Sequence, residues 1–553
     1  MSASTDCVRT VLSAALESCE LPATGRRLKT ASSPGACRSA AVTALLQQAR
    51  AQNRMAVLIC ADAFDVARLS QEIAWLDPSL KVSCLPDWET LPYDTMSPHA
   101  DLVSERLETL YNLTSADKRM RPDVLIAAAS TAAQRFAPRA FVAGNTFFFK
   151  KGQTISTKTL EADLVAAGYG RVEQTMAPGE FAVRGGIVDI FPMGAASPLR
   201  LDLFDDEIDA IRTFDPETQH STGAVDEIRI LPGHEFAFDE EARNRFRAAW
   251  RAAFAGDPNK CPVYKDVGQG ICSAGIEYYL PLFFTETGSL ADYLPENALF
   301  VTLGKTREAI EAFLRQTEER YKFLSHDKER PALPPERLFD KPDDFFNAIG
   351  PFGRVSLSAP ETGIAEPLTI ERSVKDPAEK LKTFIAKCAM KKERVLIAAT
   401  GSGRAARLQE LLREGVREPD QVESFPAFLE SKAPVAVAVG PVSGGFELAG
   451  PGIVLVTETE LYNTRAMVRR RGQGRTTNVE AIIRDVSELR EGDPVVHAAH
   501  GVGRYHGLET IQGEDGPADF VRIDYANEAK LFVPVSQLNL ISRYTGADSE
   551  PPP

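Results

Sequence analysis

Residues Ser32-Ser33-Pro34-Gly35-Ala36-Cys37-Arg38-Ser39 have the spacing of a phosphate loop. A working loop wraps phosphate in backbone N–H groups, with glycines at its start and just ahead of a Lys-Ser/Thr pair. Here Ser32 and Cys37 stand where the glycines belong, and Arg38 stands where the lysine belongs. A Cβ at Cys37 obstructs the close approach of backbone to phosphate, and Pro34 has no N–H to offer. The sequence therefore predicts a degenerate loop, with Gly35, Cys37, Arg38 and Ser39 as its non-functional relics.

Other groupings are weaker. Gly401-Ser402-Gly403-Arg404 has a glycine turn but no Lys-Ser/Thr pair, and such a turn commonly joins a strand to a helix. His497, His500 and His506 lie close in sequence, yet their spacing matches no zinc pattern and no cysteine is near. There is no nucleophile elbow, no HExxH, and no carboxylate pair in an acid/base setting. No catalytic residue and no metal ligand is expected. The run Arg469-Arg470-Arg471, with Arg475, is a possible contact to DNA phosphates, or equally a solvated linker in so acidic a chain.

A phosphate loop needs a strand ending before it and a helix starting after it, so the elements matter next. Met55 to Cys60 and Val124 to Ala129 are short apolar runs suited to buried parallel strands. Val66, Leu69, Ile73 and Leu76 recur at helical spacing between them, which predicts a doubly wound α/β layer. From residue 141 to 231 the texture changes to period two. In Leu199 to Phe204 the leucines face one side and Arg200, Asp202 and Phe204 the other, before a turn at Asp205-Asp206. The proline-rich stretch 330–344 reads as a linker or surface crossing. A second α/β segment, 366–463, carries strands at 394–399, 434–439 and 452–457. A basic linker spans 464–486 and an all-β segment 487–546, where Val521, Ile523 and Tyr525 alternate with Phe520, Arg522 and Asp524.

At 553 residues, roughly three to five domains are expected. The formal charge of −14 argues against a non-specific nucleic-acid coat. Eight scattered cysteines (Cys7, Cys19, Cys37, Cys60, Cys84, Cys261, Cys272 and Cys388) form no CxxC pair and read as free thiols in a reducing compartment. No signal sequence or membrane span is expected, which predicts a cytoplasmic protein without a membrane partner.

Three stretches are more specific. The first is Asp87-Trp88-Glu89-Thr90-Leu91-Pro92-Tyr93-Asp94, continuing to Arg106-Leu107. The second is Gly179-Glu180-Phe181-Ala182-Val183-Arg184-Gly185-Gly186-Ile187-Val188-Asp189-Ile190-Phe191-Pro192. The third combines His500-Gly501-Val502-Gly503-Arg504-Tyr505 with 524–534 and 540–544. In this order they resemble the bacterial transcription-repair coupling factors, over about 21–546. The first two stretches are also similar to the damage-recognition protein UvrB.

The resemblance implies a multi-domain α/β fold. A degenerate helicase-like α/β domain (1–140 and 232–352) would carry an antiparallel insertion (141–231) that binds UvrA. A second α/β domain (366–463) of unknown role and a C-terminal Tudor/SH3-like β-barrel (487–546) would follow, the barrel docking the RNA polymerase β subunit. Arg171 and Arg184 match positions where the family presents arginines to UvrA, with Phe181 and Phe204 beside them, and Ala182 stands where UvrB-like patterns have an arginine. The barrel is expected to dock by an open edge with Ile511 as the polymerase anchor, and Phe520, Arg522 and Asp524 are the further expected polymerase contacts. No cofactor is expected, since ATP belongs to the translocase that the family carries further on. Any DNA binding would be weak or through that motor. The stretch between Trp88 and Leu110 is too short for UvrB's DNA-clamping hairpin. The implied role is an adaptor without enzymatic activity. The alternatives are an ATP-dependent DNA translocase, if a motor follows, and a UvrB-like DNA-binding module.

Overall fold

In a computed structural model of the chain, the expected apolar runs become strands buried on both faces. The structure describes residues 3–462 except Ser18, Ala116, Lys118, Pro367, 371–375 and 414–418, and then 494–497, 501–513, 516–525, 530–534 and 541–543. It divides into two compact units, Met1–Val468 and Arg469–Pro553.

The first unit opens with α1 (Ala3–Leu12), β1 (Arg27–Ala31), α2 (Arg38–Ala51), β2 (Ala56–Cys60), α3 (Ala63–Leu76), β3 (Val82–Leu85), α4 (Ala100–Thr114) and β4 (Val124–Ala128). Every residue of β2 and β4 is buried. On α3, Val66, Leu69, Ile73 and Leu76 are all buried, as their spacing requires. No strand intervenes between β3 and β4 among the described residues, so a clamping hairpin has no place there.

The insertion follows as β5 (Phe147–Lys150), β6 (Gly170–Arg171), β7 (Glu180–Arg184), β8 (Ile187–Ile190), β9 (Leu199–Phe204), β10 (Glu207–Phe214), β11 (Ser221–Val225) and β12 (Glu227–Ile230). β11-β10-β9-β8-β7-β6 form one sheet, and β12 pairs with β5 in another. All pairs are antiparallel except β6 with β7, which is parallel. Leu199 and Leu201 are buried while Phe204 is exposed, in keeping with the alternation.

After the insertion the chain returns to the first layer with β13 (Leu299–Leu303) and β14 (Gly353–Ser358). The parallel order is β1-β14-β13-β2-β4-β3, so the returning strands fill the space between β1 and β2. An aromatic core of Trp88, Tyr93, Phe236, Phe246, Trp250, Tyr278, Tyr279 and Phe283 lies under this return.

The proline-rich stretch 330–344 is not a linker. Leu333, Leu338 and Phe339 are buried in the aromatic core, and the Tyr93 hydroxyl donates to the Leu333 carbonyl at 2.8 Å. Prolines carry no N–H, so such a stretch can enter a core with few donors to satisfy.

The second α/β layer contains β15 (Arg394–Ala399), β16 (Asp420–Gln421), β17 (Val435–Val439), β18 (Phe446–Leu448) and β19 (Ile453–Thr457), in the order β16-β17-β15-β19-β18. Only β18 runs antiparallel to its neighbour. This layer is not separate: one apolar core joins Val42, Leu45 and Leu58 of the first layer to Phe425, Phe428, Phe446 and Leu455 of the second.

The second unit is an antiparallel sheet of β20 (Pro494–His497), β21 (Gly501–Gly513), β22 (Gly516–Asp524), β23 (Lys530–Pro534) and β24 (Ile541–Arg543), ordered β23-β22-β21-β20-β24. Val521 and Ile523 are buried, as their alternation predicts. The basic linker, with Arg469, Arg470 and Arg471, lies outside the described residues.

Candidate docking surfaces and a degenerate phosphate loop

The register of the insertion sorts its side chains between two faces. Phe181, Ile190 and Leu199 are cross-strand neighbours, as are Val183, Val188, Leu201 and Ile211, and these rows face the core. Ala182, Asp189, Arg200 and Arg212 form a row on the opposite face. Asp189 is wholly buried beneath the arginines that cover it. Arg200 grips it with two prongs, Nε to Oδ1 at 2.7 Å and Nη2 to Oδ2 at 2.9 Å, and lies over the Phe214 ring at 4.7 Å. That hydrogen bonding raises the Arg200 pKa. Arg184, half-exposed, reaches the same carboxylate. A buried carboxylate thus fixes two guanidinium groups; Arg200 also donates to the Gln219 carbonyl at 3.2 Å and is largely covered, so Arg184 is the one open to a partner's carboxylates.

Ile187 pairs with Arg184 across the hairpin, and the Leu203 N–H donates to the Gly186 carbonyl, which brings the β7–β8 turn beside the β9–β10 turn. Phe204, 76% exposed, and Ile187, 38% exposed, therefore share the end of the sheet that carries Arg184.

The four expected contact residues do not form one cluster. Arg184 and Phe204 come together. Phe181 is 0% exposed in the core and cannot touch a partner, because its strand position places it with Val188 and Ile190 rather than Arg184. Arg171 is exposed but bonded to Glu161, on the far side of β7 and roughly 10 Å along the strand direction from Arg184. Asp189, Arg200, Arg212 and Ile187 were not singled out by sequence. One signal was there: an aspartate inside the run Ile187-Val188-Asp189-Ile190 must turn from the core and find a cation.

In the second unit, β22 is a central strand. Phe520 pairs with Glu509 and Pro534, Arg522 with Gly507 and Phe532, and Asp524 with Arg504 and Lys530. These three residues are therefore not on an edge, and their backbone is already committed on both sides. Arg522 is bonded to Asp524 at 2.8 and 3.0 Å, and that hydrogen bond pulls the Asp524 carboxyl below its usual range. His506 faces Asp524 at 3.6 Å. β20 covers β21 only from Gly501 to Arg504, so among the described residues the 508–513 stretch has a strand on one side alone. Ile511 lies on that stretch, opposite Ala518.

The degenerate loop follows β1 and leads into α2, as a phosphate loop does. Gly35 is left-handed at φ 79°, and Cys37 is wholly buried, which pushes its thiol up to about 11. Arg38 pairs with Glu361 at 2.5 Å and Asp65 at 3.5 Å, while Ser39 contacts the Cys37 sulfur at 3.3 Å. Gly401 and Arg404 form a similar turn in the second layer, where Glu458 accepts the Thr400 N–H at 2.8 Å and pairs with Arg404. Both loops are thus answered by carboxylates of the chain itself.

The first sequence motif proves structural. Arg106, with no exposed surface, bonds Glu235 at 2.6 and 3.2 Å, and Trp88 donates to the same carboxylate at 3.0 Å. This node ties the segment before the insertion to the segment after it. Among the described residues there is no metal-binding cluster, and no helix is long and apolar enough to cross a membrane.

Three family profiles match the chain: the UvrB interaction domain over 147–236, the MFD, D3 domain over 384–461, and the CarD-like/TRCF RID domain over 489–545. The transcription-repair-coupling factor of Haemophilus influenzae is 37% identical over 515 residues, covering 90% of this chain and 44% of its own length. That of Escherichia coli is 37% identical over 509 residues, with the same coverage. That of Bacillus subtilis is 26% identical over 548 residues, covering 94% of this chain and 45% of its own length. The chain thus spans less than half the length of these relatives.

Proposed function

From the premise that this chain belongs to the transcription-repair coupling factors and matches their N-terminal part, we propose that it is a docking platform. One surface holds RNA polymerase stalled at DNA damage, through the polymerase β subunit, and another recruits UvrA for nucleotide excision repair. The observation that supports it most is the end of the insertion sheet, where a positioned Arg184 sits beside exposed Phe204 and Ile187. A charged fork next to an apolar anchor is the composition of an interface hot spot. The second unit, as a small barrel of the Tudor/SH3 kind, would dock by strand addition along 508–513, since an edge with one free side can accept a partner strand. The chain itself catalyses nothing in this reading.

The two ends can be tested on one preparation. Arg184→Ala leaves Asp189 its two-pronged partner Arg200, so the fold persists and UvrA affinity falls tenfold or more while polymerase binding is kept. Ile511→Arg gives the converse, a thirtyfold or greater loss for polymerase, about 2–4 kcal/mol. UvrA capture that survives both Arg184→Ala and its combination with Arg171→Ala would place that interface elsewhere.

A further inference from the structure

Three backbone donors of the loop at 32–39 are spent inside the protein. Ser32 N–H donates to the Ser358 carbonyl and Ser33 N–H to the Ala15 carbonyl, both at 3.0 Å, and Ala36 N–H donates back to the Ser33 carbonyl at 3.1 Å. These groups are not free to wrap a phosphate. The space before the loop is filled by two segments that the phosphate-loop pattern says nothing about, 361–363 and 443–447.

Their fit is close. Glu447 N–H donates to the Gly35 carbonyl at 2.8 Å, and Gly363 N–H donates to the Gly445 carbonyl at 2.8 Å. A Cβ added at Gly363 would overlap the Gly35 carbonyl oxygen, and one added at Gly444 would overlap the Glu361 carbonyl oxygen and touch Cys37. Behind this contact Glu72, wholly buried, accepts from Ser443 N–H at 3.1 Å and the Ser443 hydroxyl at 2.5 Å, and is held by Arg68 at 3.2 Å. Burial raises the Glu72 pKa, against the pull of Arg68. At the front, Glu361 bridges Arg38 at 2.5 Å and Arg68 at 3.4 Å.

We propose that the degenerate phosphate loop is a docking seat whose ligand is the chain's own second α/β layer, with the Glu361 carboxylate at Arg38 in the place a terminal phosphate takes at the lysine of a working loop. The substitutions that spoil nucleotide binding suit this ligand. Arg38 offers a planar fork to a carboxylate where lysine would offer a point charge. Cys37 bounds the space beside Gly444, where an added Cβ would lie 3.6 Å from its own Cβ. The seat excludes nucleotide and carries the second layer as one body with the first, which gives that layer a role in the platform.

The test is amide hydrogen exchange on the full chain. In Gly363→Ala, exchange should rise tenfold or more in peptides covering 33–41 and 443–449 together, with the Glu447 amide as reporter, while β2 and β4 stay protected. Glu361→Gln keeps the shape and removes the charge, and should raise exchange in the same two peptides by a smaller factor. Gly403→Ala, where a Cβ meets nothing within 4 Å, should change neither. Millimolar Mg-ATP or inorganic phosphate should add no protection to the 33–41 peptide of the unaltered chain. The proposal is overturned by a Gly363→Ala effect confined to 359–366, or by Mg-ATP protecting 33–41. If Gly363→Ala does not fold, unchanged exchange in both peptides of Glu361→Gln overturns it instead.

Discussion

Replacing Phe181 and Phe204 by alanine, one at a time, should give opposite results although both are aromatics of the same small sheet. Phe181 has no exposed surface and packs with Val188, Ile190, Leu199 and Leu201. Its truncation leaves a cavity in a closed core, and Phe→Ala at such a site costs about 3–5 kcal/mol. Against a total stability of roughly 5–15 kcal/mol, that loosens the whole insertion. Phe204 is 76% exposed, so its truncation removes little burial and should cost about 0.5 kcal/mol or less. In the complex the order reverses. Burying a phenylalanine ring stabilises by about 1.5–3 kcal/mol, so Phe204→Ala should weaken UvrA binding roughly 10- to 150-fold. The assay is a urea midpoint at constant slope, read with UvrA affinity on the same preparation. Equal destabilisation by the two substitutions, or UvrA affinity unchanged in Phe204→Ala, would refute the assignment of faces.

Two further outcomes are expected. Glu235→Ala strands the wholly buried Arg106 guanidinium and the Trp88 N–H, so unfolding free energy should fall by about 3–5 kcal/mol, and a loss under about 1 kcal/mol in chemical denaturation would count against the node. Burial pushes the Glu277 carboxyl from 4.5 up to about 7, opposed by the Ser97 hydroxyl and Arg330 and aided by Glu235. Because its folded pKa lies above the unfolded one, its contribution of about 3 kcal/mol is full below pH 4.5 and is lost as pH rises through 7. Glu277→Gln should therefore flatten the decline in stability between pH 5 and 8, and a parallel decline in both proteins would exclude the group.

Much of this protein was written locally. The apolar runs at 56–60 and 124–128 had to be buried strands, since nothing polar in them tolerates water on either face. The alternation at 199–204 set which residues faced the core. The missing glycines and lysine predict a degenerate phosphate loop, and three motifs in order carry the resemblance to the coupling factors.

What the sequence could not decide depends on which distant segments become neighbours. β13 and β14 enter between β1 and β2 only because the sheet order places them there. Phe181 and Phe204 are equally apolar, and their different fates follow from where each strand crosses the core beneath the sheet. Arg184 and Arg200 meet over Asp189 because β7, β8 and β9 pair in one register. Among the described residues β20 pairs with β21 only at 501–504, which leaves 508–513 with a strand on one side alone, while β22 is central because β21 and β23 flank it. The second α/β layer showed no chemistry in its own residues, because its seat is made by Gly35 and Arg38, far back in the chain. Periodicity records the surroundings of each residue along its own element, whereas contacts across the chain are fixed only when all the elements pack at once.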